Sequence, residues 1–451
     1  MIMELRFFSV TQLVLISLAR ALPLTERVSP LPPTQDSFYQ VPDDVQQFAP
    51  GTIFKYRKPL ATMAAFGLDP LKLQNTWQIL YRTNDNFNKA TATVLTVLVP
   101  HNADFSKILS YQVAEDASFA NCAPSYAFQL DSATGGLLGT IVTQAELLLI
   151  EAALERGWVV ISPDHEGPEG AYLANKLAGY ATLDGIRAAL NSANFTGIKQ
   201  KPTIAMWGYS GGSIASAWAA ELQPSYAPEL NIAGAALGGT VPNISTVIST
   251  VNKSPFSGLI PMGILGLAHQ YPDLSELVNL ELRHQYKAAF DKVATQCFTP
   301  NMIDFLFKDV VGMVKNPSIF TQGLASNILN ENSPGGSIPQ IPLYVYKSVL
   351  DEVSPIADTD KLVDHYCSGG ASVQYERDLL SEHGSLAAIG AAKALSWLND
   401  VMEGTALRSS CSTQTVVSSL WDPTTVEVIP KVLLDALLDL LGKPIGPTFF
   451  G

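Results

Sequence analysis

Apolar, β-branched runs recur along the chain at residues 77–82, 93–99, 108–113, 158–162, 203–207, 232–237, 343–349 and 371–376. Between them lie Ala/Leu-rich stretches of helical length at 144–155, 179–192, 212–221, 358–366 and 386–402. This alternation predicts an α/β chain built on a mainly parallel sheet with helices on its faces. Several of the runs are continuously apolar, as parallel strands buried on both sides require. From 243 to 336 the alternation stops, and Gly- and Pro-punctuated helical segments such as 256–269 and 274–290 follow without a comparable strand run. Structureless loops of that length are uncommon inside compact domains, so a helical cap inserted into the α/β core is expected. Its stretch 256–269, rich in Gly, Leu, Met and Phe, either covers an apolar pocket or packs as an ordinary small subdomain.

The N-terminus has its own pattern. A weak basic signal at Arg6, an apolar stretch from Phe7 to Ala19 and small residues at Ala19 and Ala21 read as a signal peptide spanning 1–21. The stretch is shorter than the ~20 residues a bilayer span needs, so a soluble, secreted mature chain is expected. A Pro-rich lead-in at 30–33 follows, and the tail from 442 onward is broken by Gly and Pro.

Composition narrows the function. The chain's 451 residues suffice for about three average domains, or for one α/β domain with an insertion. Charged residues make up 15% and hydrophobic ones 47%, against about 25% charged in ordinary soluble proteins, which excludes general disorder. The net charge of −13 is spread without any basic run, so a phosphate backbone finds no attraction here and nucleic acid is not an expected partner. The four cysteines, Cys122, Cys297, Cys367 and Cys411, contain no C-x-x-C pair; in an exported chain an even count favours two disulfides over zinc or reactive thiols. Spacing leaves all three pairings open. Sequons at Asn194, Asn243 and Asn252 suit the same compartment.

The chemistry centres on Gly208-Tyr209-Ser210-Gly211-Gly212, which follows the apolar run 203–207 and precedes the small-residue helical stretch 213–220. G-x-S-x-G alone arises by chance in about one protein in six of this size. A strand before it and a helix after it are what a nucleophile elbow needs, with the serine exposed on a tight turn. In that architecture the acid and then the histidine come later in the chain. His101 and His165 precede Ser210, and His269 and His284 fall in the cap, which leaves His365 and His383. His365 sits within a helical stretch, whereas His383 follows the run 371–376 at a strand's carboxyl end, where ligands of open α/β sheets bind. The same reasoning selects Asp351, directly after the run 343–350, with Glu352 as its substitute. Asp358, Asp360 and Asp364 fall on the connecting helix. Ser210 is thus the expected nucleophile of an acyl transfer, His383 its base and Asp351 the group that orients the base. The Gly211 N–H is the expected first oxyanion donor, and Asp116 or its neighbour in the loop 111–118 the second, since no His-Gly-Gly-Gly run exists to supply it. Asp164-His165-Glu166 could suggest a metal cluster, but adjacent residues at a strand end point apart, so no metal or organic cofactor is expected.

These residues carry a resemblance. The segments 111–118, 122–126, 162–167, 208–212 and 225–232, together with Asp351-Glu352-Val353-Ser354-Pro355 and Glu382-His383, resemble the fungal secretory lipase family over most of the mature chain. The resemblance implies an α/β-hydrolase fold, the same three catalytic residues, an oxyanion-hole aspartate at Asp116, and disulfides joining Cys122 with Cys297 and Cys367 with Cys411. It also implies a helical lid in the middle and a C-terminal flap over the site. The chain then divides into a signal peptide (1–21), two core parts (22–242 and 337–410), a cap (243–336) and a flap (411–451). The function implied is a secreted serine ester hydrolase of lipase type acting on small-molecule or lipid esters, with a lipid surface as its one further contact and no stable protein partner. The cap matches least, and an esterase or acyltransferase for short acyl esters of a fungal secondary metabolite, as in trichothecene deacetylation, is the alternative.

Overall fold

The computed structural model describes residues 29–65, 69–132, 139–405, 410–423 and 443–447. The expected signal peptide (1–21), and 424–442 of the expected flap, lie outside the described residues.

Ten strands form one sheet: β1 (Ile53–Arg57), β2 (Asn75–Asn84), β3 (Ala90–Val99), β4 (Asp104–Gln112), β5 (Trp158–Pro163), β6 (Thr203–Tyr209), β7 (Ile232–Gly238), β8 (Leu343–Ser348), β9 (Val373–Asp378) and β10 (Ser412–Val416). Their order across the sheet is β1-β2-β3-β5-β4-β6-β7-β8-β9-β10. The pairings from β5 to β10 are parallel, and β1, β2 and β3 add antiparallel at one edge. Every residue of β5 and β8 is buried, which explains their mainly apolar reading.

Alternate residues of each strand pack on opposite faces. Ile204 and Met206 of β6 join Leu183 and Ile186 of α2 (Asn175–Asn191) and Ala217 of α3 (Gly211–Tyr226). Ala205 and Trp207 join Leu147 and Ile150 of α1 (Ile141–Leu154) on the other face, with Leu395 and Leu398 of the last long helix (Ala391–Met402). Between β7 and β8 the chain forms α4 (Ile244–Val251), α5 (Leu259–Ala268), α6 (Pro272–Glu281), α7 (Lys287–Val293), α8 (Phe298–Asp304) and α9 (Gly323–Glu331). This insertion has its own apolar core, which also takes in Tyr172, Leu173, Ile214 and Trp218 from the body beneath. Asn332 pins its exit: the side-chain Oδ1 accepts from Asn86 Nδ2 and the Asn175 N–H, Nδ2 donates to Tyr271 Oη, and the carbonyl accepts from Trp218 Nε1. α10 (Ile356–Ser368) follows β8, and α11 (His383–Ile389) and α12 (Ala391–Met402) follow β9.

The eight runs read as strands all lie in the sheet, and β1 and β10 extend it beyond them. Both are edge strands with mostly exposed or half-buried residues, so neither has a clear apolar pattern. The core therefore continues past residue 410, where the sequence reading begins its flap, because β10 pairs with β9 from Gln374–Ser412 to Asp378–Val416. The described end of the tail also departs from a flap over the serine. Ile445 is fully buried and its carbonyl accepts from the His101 N–H, at the turn before β4 and the opposite end of the sheet from Ser210. The single helix expected over 386–402 is two helices. They break at Gly390, where a Cβ would lie 2.6 Å from the Tyr346 ring.

Candidate active site

Ser210 sits between β6 and α3 with φ 51° and ψ −120°, a left-handed conformation unusual for a residue with a side chain. The flanking glycines make the turn sterically feasible: a Cβ on Gly208 would lie 2.2 Å from the Gly212 carbonyl oxygen, and one on Gly212 2.0 Å from that of Gln112. The serine N–H is tied to the Gly238 carbonyl at 2.9 Å.

His383 is the first residue of α11, rather than part of a plain loop. Glu382 caps the helix in a reciprocal capping box with Ser385, which fixes the angle at which the imidazole leaves the backbone. Its backbone is held from both sides, the N–H donating to Glu352 Oε2 at 2.8 Å and the carbonyl accepting from Tyr209 Oη. The ring lies 2.8 Å from Ser210 Oγ through Nε2 and 2.6 Å from Asp351 Oδ2 through Nδ1. A carboxylate only accepts, so the Nδ1 proton points at Asp351 and Nε2 is left to take the serine proton.

Asp351 receives more than the histidine. Its Oδ1 accepts from the Val353 and Ser354 N–H groups at 2.9 and 2.7 Å, and Lys347 Nζ lies 2.7 Å from Oδ2 while also donating to the Thr240 carbonyl. Burial alone would raise the Asp351 carboxyl, but His383 and Lys347 outweigh it and hold it well below the usual carboxylate range. Asp351 is thus ionised at neutral pH.

Asp116 lies in the loop after β4 with φ 46°. Its Oδ1 is so close to Gly211 that a Cβ there would lie 1.9 Å away, and it has no hydrogen-bond partner among the described residues. Beside it the Glu166 carboxylate accepts from the Ala117 N–H at 3.3 Å. Burial raises the Asp116 carboxyl to about 7. Below that pH it carries an O–H, able to donate.

A cavity of about 620 Å³ opens beside these groups, within the range of small-molecule sites. Ser210, His383 and Asp116 line it together with Ile141, Leu148 and Leu149 of α1, Phe298 of the insertion, and Ala388 and Leu395 behind His383. Its wall is apolar except near the reacting groups and Glu146. Glu146 binds Tyr111 Oη and the Ala114 N–H, both at 2.9 Å, and burial raises it to about 8.

The structure thus brings Ser210, His383, Asp351, Asp116 and Gly211 to one place. His365 is exposed on α10 and is not among the groups that line the cavity. His165 is buried with Nε2 2.8 Å from the Val113 carbonyl, and burial lowers it to about 4. Asp164 binds Ser125 through both oxygens, so these neighbours serve separate loops. Cys122 is bonded to Cys297, tying the loop after β4 to the start of α8, and Cys367 to Cys411, tying the end of α10 to β10. Three residues escaped the sequence reading: Lys347, Glu146 and the role of Glu352 at the His383 backbone. The signal for the first two was a lone charge inside an apolar run.

Comparison with known proteins agrees in direction. A family model described as secretory lipase matches residues 132–409. Lipase A of Arthroderma benhamiae is 48% identical over 94% of this chain and 91% of its own length, and Lipase 5 of Candida albicans 37% identical over 93% and 92%. The crystal structure of Candida antarctica lipase A superposes with a TM-score of 0.80 at 28% identity, covering 93% of this chain and 99% of that one. A rice cell wall degrading esterase from Xanthomonas oryzae shares the fold at a TM-score of 0.59 and 14% identity.

Proposed function

The chain belongs to the secretory lipase family and is a carboxylic ester hydrolase of lipase type, and from that premise we propose that Ser210, His383 and Asp351 are its catalytic triad. The observation that carries this reading is the unbroken sequence of contacts from Ser210 Oγ to His383 Nε2 at 2.8 Å and from Nδ1 to Asp351 Oδ2 at 2.6 Å.

Ser210 Oγ attacks the ester carbonyl as Nε2 takes its proton. The imidazolium formed is stabilised by Asp351 and then protonates the departing alcohol. Water repeats the sequence to release the acid. The oxyanion meets the Gly211 N–H, at the start of α3 where helix N–H groups lack an intrahelical partner. The second donor is the Asp116 side chain acting as a neutral acid, because its Oδ1 is buried against Gly211 and has no hydrogen-bond partner among the described residues. A carboxyl kept protonated by an apolar site can serve as such a donor.

The apolar walls suit an acyl chain, and we read the insertion α4–α9 as a cap over it and a lipid surface as the place where the substrate is met. Two disulfides and the family match support secretion of the chain. The test is a series of p-nitrophenyl esters from acetate to palmitate. Each methylene buried in the cavity adds about 0.8 kcal/mol, so kcat/KM rises with length until the wall is reached. A profile that peaks at acetate overturns the lipase reading in favour of an acetylesterase.

A further inference from the structure

The three sequons stand in unlike surroundings. Asn252 uses both ends of its amide, donating to Asp309 Oδ1 at 2.9 Å and accepting from the Val311 N–H at 3.2 Å. Asn243 caps α4, its Oδ1 accepting from the Thr246 N–H, and is half-buried. Asn194 is exposed. It lies in a one-turn helix, Ala193–Thr196, between α2 and β6, at the edge of the sheet where the parallel strands begin. Ser210 is at the other end of β6.

A second observation lies beside it. Phe195 stacks on Tyr56 with centroids 3.9 Å apart and rings 7° from parallel, and Trp77 meets Phe195 edge-on at 5.3 Å. Tyr56 is 53% exposed and belongs to β1, which among the described residues pairs only with β2 and ends the sheet. An aromatic shelf on an open strand edge is an aggregation liability that native proteins cover or blunt. A sugar attached next to it has apolar C–H faces to lay on the rings and hydroxyls to turn to water.

We propose that Asn194 carries an N-linked glycan whose first sugar rests on the Tyr56–Phe195 shelf and shields the free edge of β1. This rests on the reading that the chain is secreted. The donor is an oligosaccharide linked through pyrophosphate to a membrane lipid. The bond from Asn194 Nδ2 to sugar C1 forms, the C1–oxygen bond to pyrophosphate breaks, Nδ2 loses a proton and the lipid pyrophosphate leaves. The bulky product stands away from the cavity, so catalysis does not depend on it.

The experiment secretes the full chain from a fungal host and maps glycopeptides after enzymatic release of N-glycans in heavy-oxygen water. The Asn194 peptide takes up the label, and the Asn243 and Asn252 peptides do not. Asn194→Gln loses the mass of one glycan, keeps kcat/KM for a soluble p-nitrophenyl ester within twofold, and aggregates several-fold faster on heating. Tyr56→Ser keeps the glycan, and in that background removing it no longer changes the aggregation rate. A chain found in the medium with Asn194 bare, or with a glycan at Asn243 or Asn252, overturns this assignment alone. A chain retained in the cytosol overturns the secretion reading and the glycan with it.

Discussion

Lys347 Nζ lies 2.7 Å from Asp351 Oδ2, and both side chains are fully enclosed. A lysine so buried stays charged only because the carboxylate beside it offsets the loss of water. Its attachment four residues upstream, at the end of β8, fixes that carboxylate where His383 meets it. Breaking such a pair leaves one charge buried alone, at a cost of about 3–5 kcal/mol. Lys347→Met should lose this much in urea unfolding. Combined with Asp351→Asn it should cost clearly less than the two single changes added together; strictly additive losses would mean the two groups do not interact.

The two aspartates of the site respond to acid in opposite senses. Asp351 is depressed in the fold, so its stabilisation is present above the unfolded value of about 4 and drains as pH falls below it. Asp116 is raised to about 7; its contribution is complete below about pH 4 and is lost as pH rises through 7. Asp116→Asn should therefore flatten the decline of melting temperature between those pH values. It should also remove the alkaline fall in kcat, because an amide donates at every pH, whereas Asp116→Ala should lower kcat by about 10²–10³. An unchanged alkaline limb in the asparagine variant would remove the neutral acid from the mechanism.

Ser210→Ala should reduce p-nitrophenyl ester hydrolysis by roughly 10⁴–10⁶ and leave the melting temperature in place. His365→Ala should leave most turnover, since that ring is exposed on α10. If it abolishes turnover while His383→Ala does not, the base has been misassigned.

Gly212 and Gly384 should part company when each becomes alanine. The new methyl at 212 would meet the Gln112 backbone oxygen at 2.0 Å, whereas at 384 nothing lies within 4 Å. Overpacking against backbone predicts a loss of about 3 kcal/mol or more for Gly212→Ala. Relief of glycine's chain entropy predicts a gain of about 0.5 kcal/mol for Gly384→Ala within α11. Chemical denaturation of both variants checks the pair.

Sequence exposed the centre of the molecule far better than its margins. Strands β5, β6 and β8 are walled by helices on both faces, so burial forces a mainly apolar composition, and the turn at Ser210 forces glycines around it. Among the described residues β1 and β10 have one neighbouring strand each, and their residues are exposed or half-buried, so they look like loop. Asp351 and His383 were legible because chain order and strand ends constrain them. Lys347 was not, since no spacing rule brings a strand residue's ammonium onto a carboxylate in the turn that follows. At Gly390 the Tyr346 ring leaves no room for a side chain, a contact made across more than forty positions of chain.

The bond between Cys122 and Cys297 joins the insertion to the body six residues past Asp116 and one before Phe298. With β7 and β8 holding its two ends, the helical layer is staked at three points around the serine. On the reading of this layer as a cap, the disulfide keeps the start of α8 beside the loop that carries Asp116. Divergence among these enzymes can then proceed by redrafting the roof between its stakes, while the machinery on the floor keeps its dimensions.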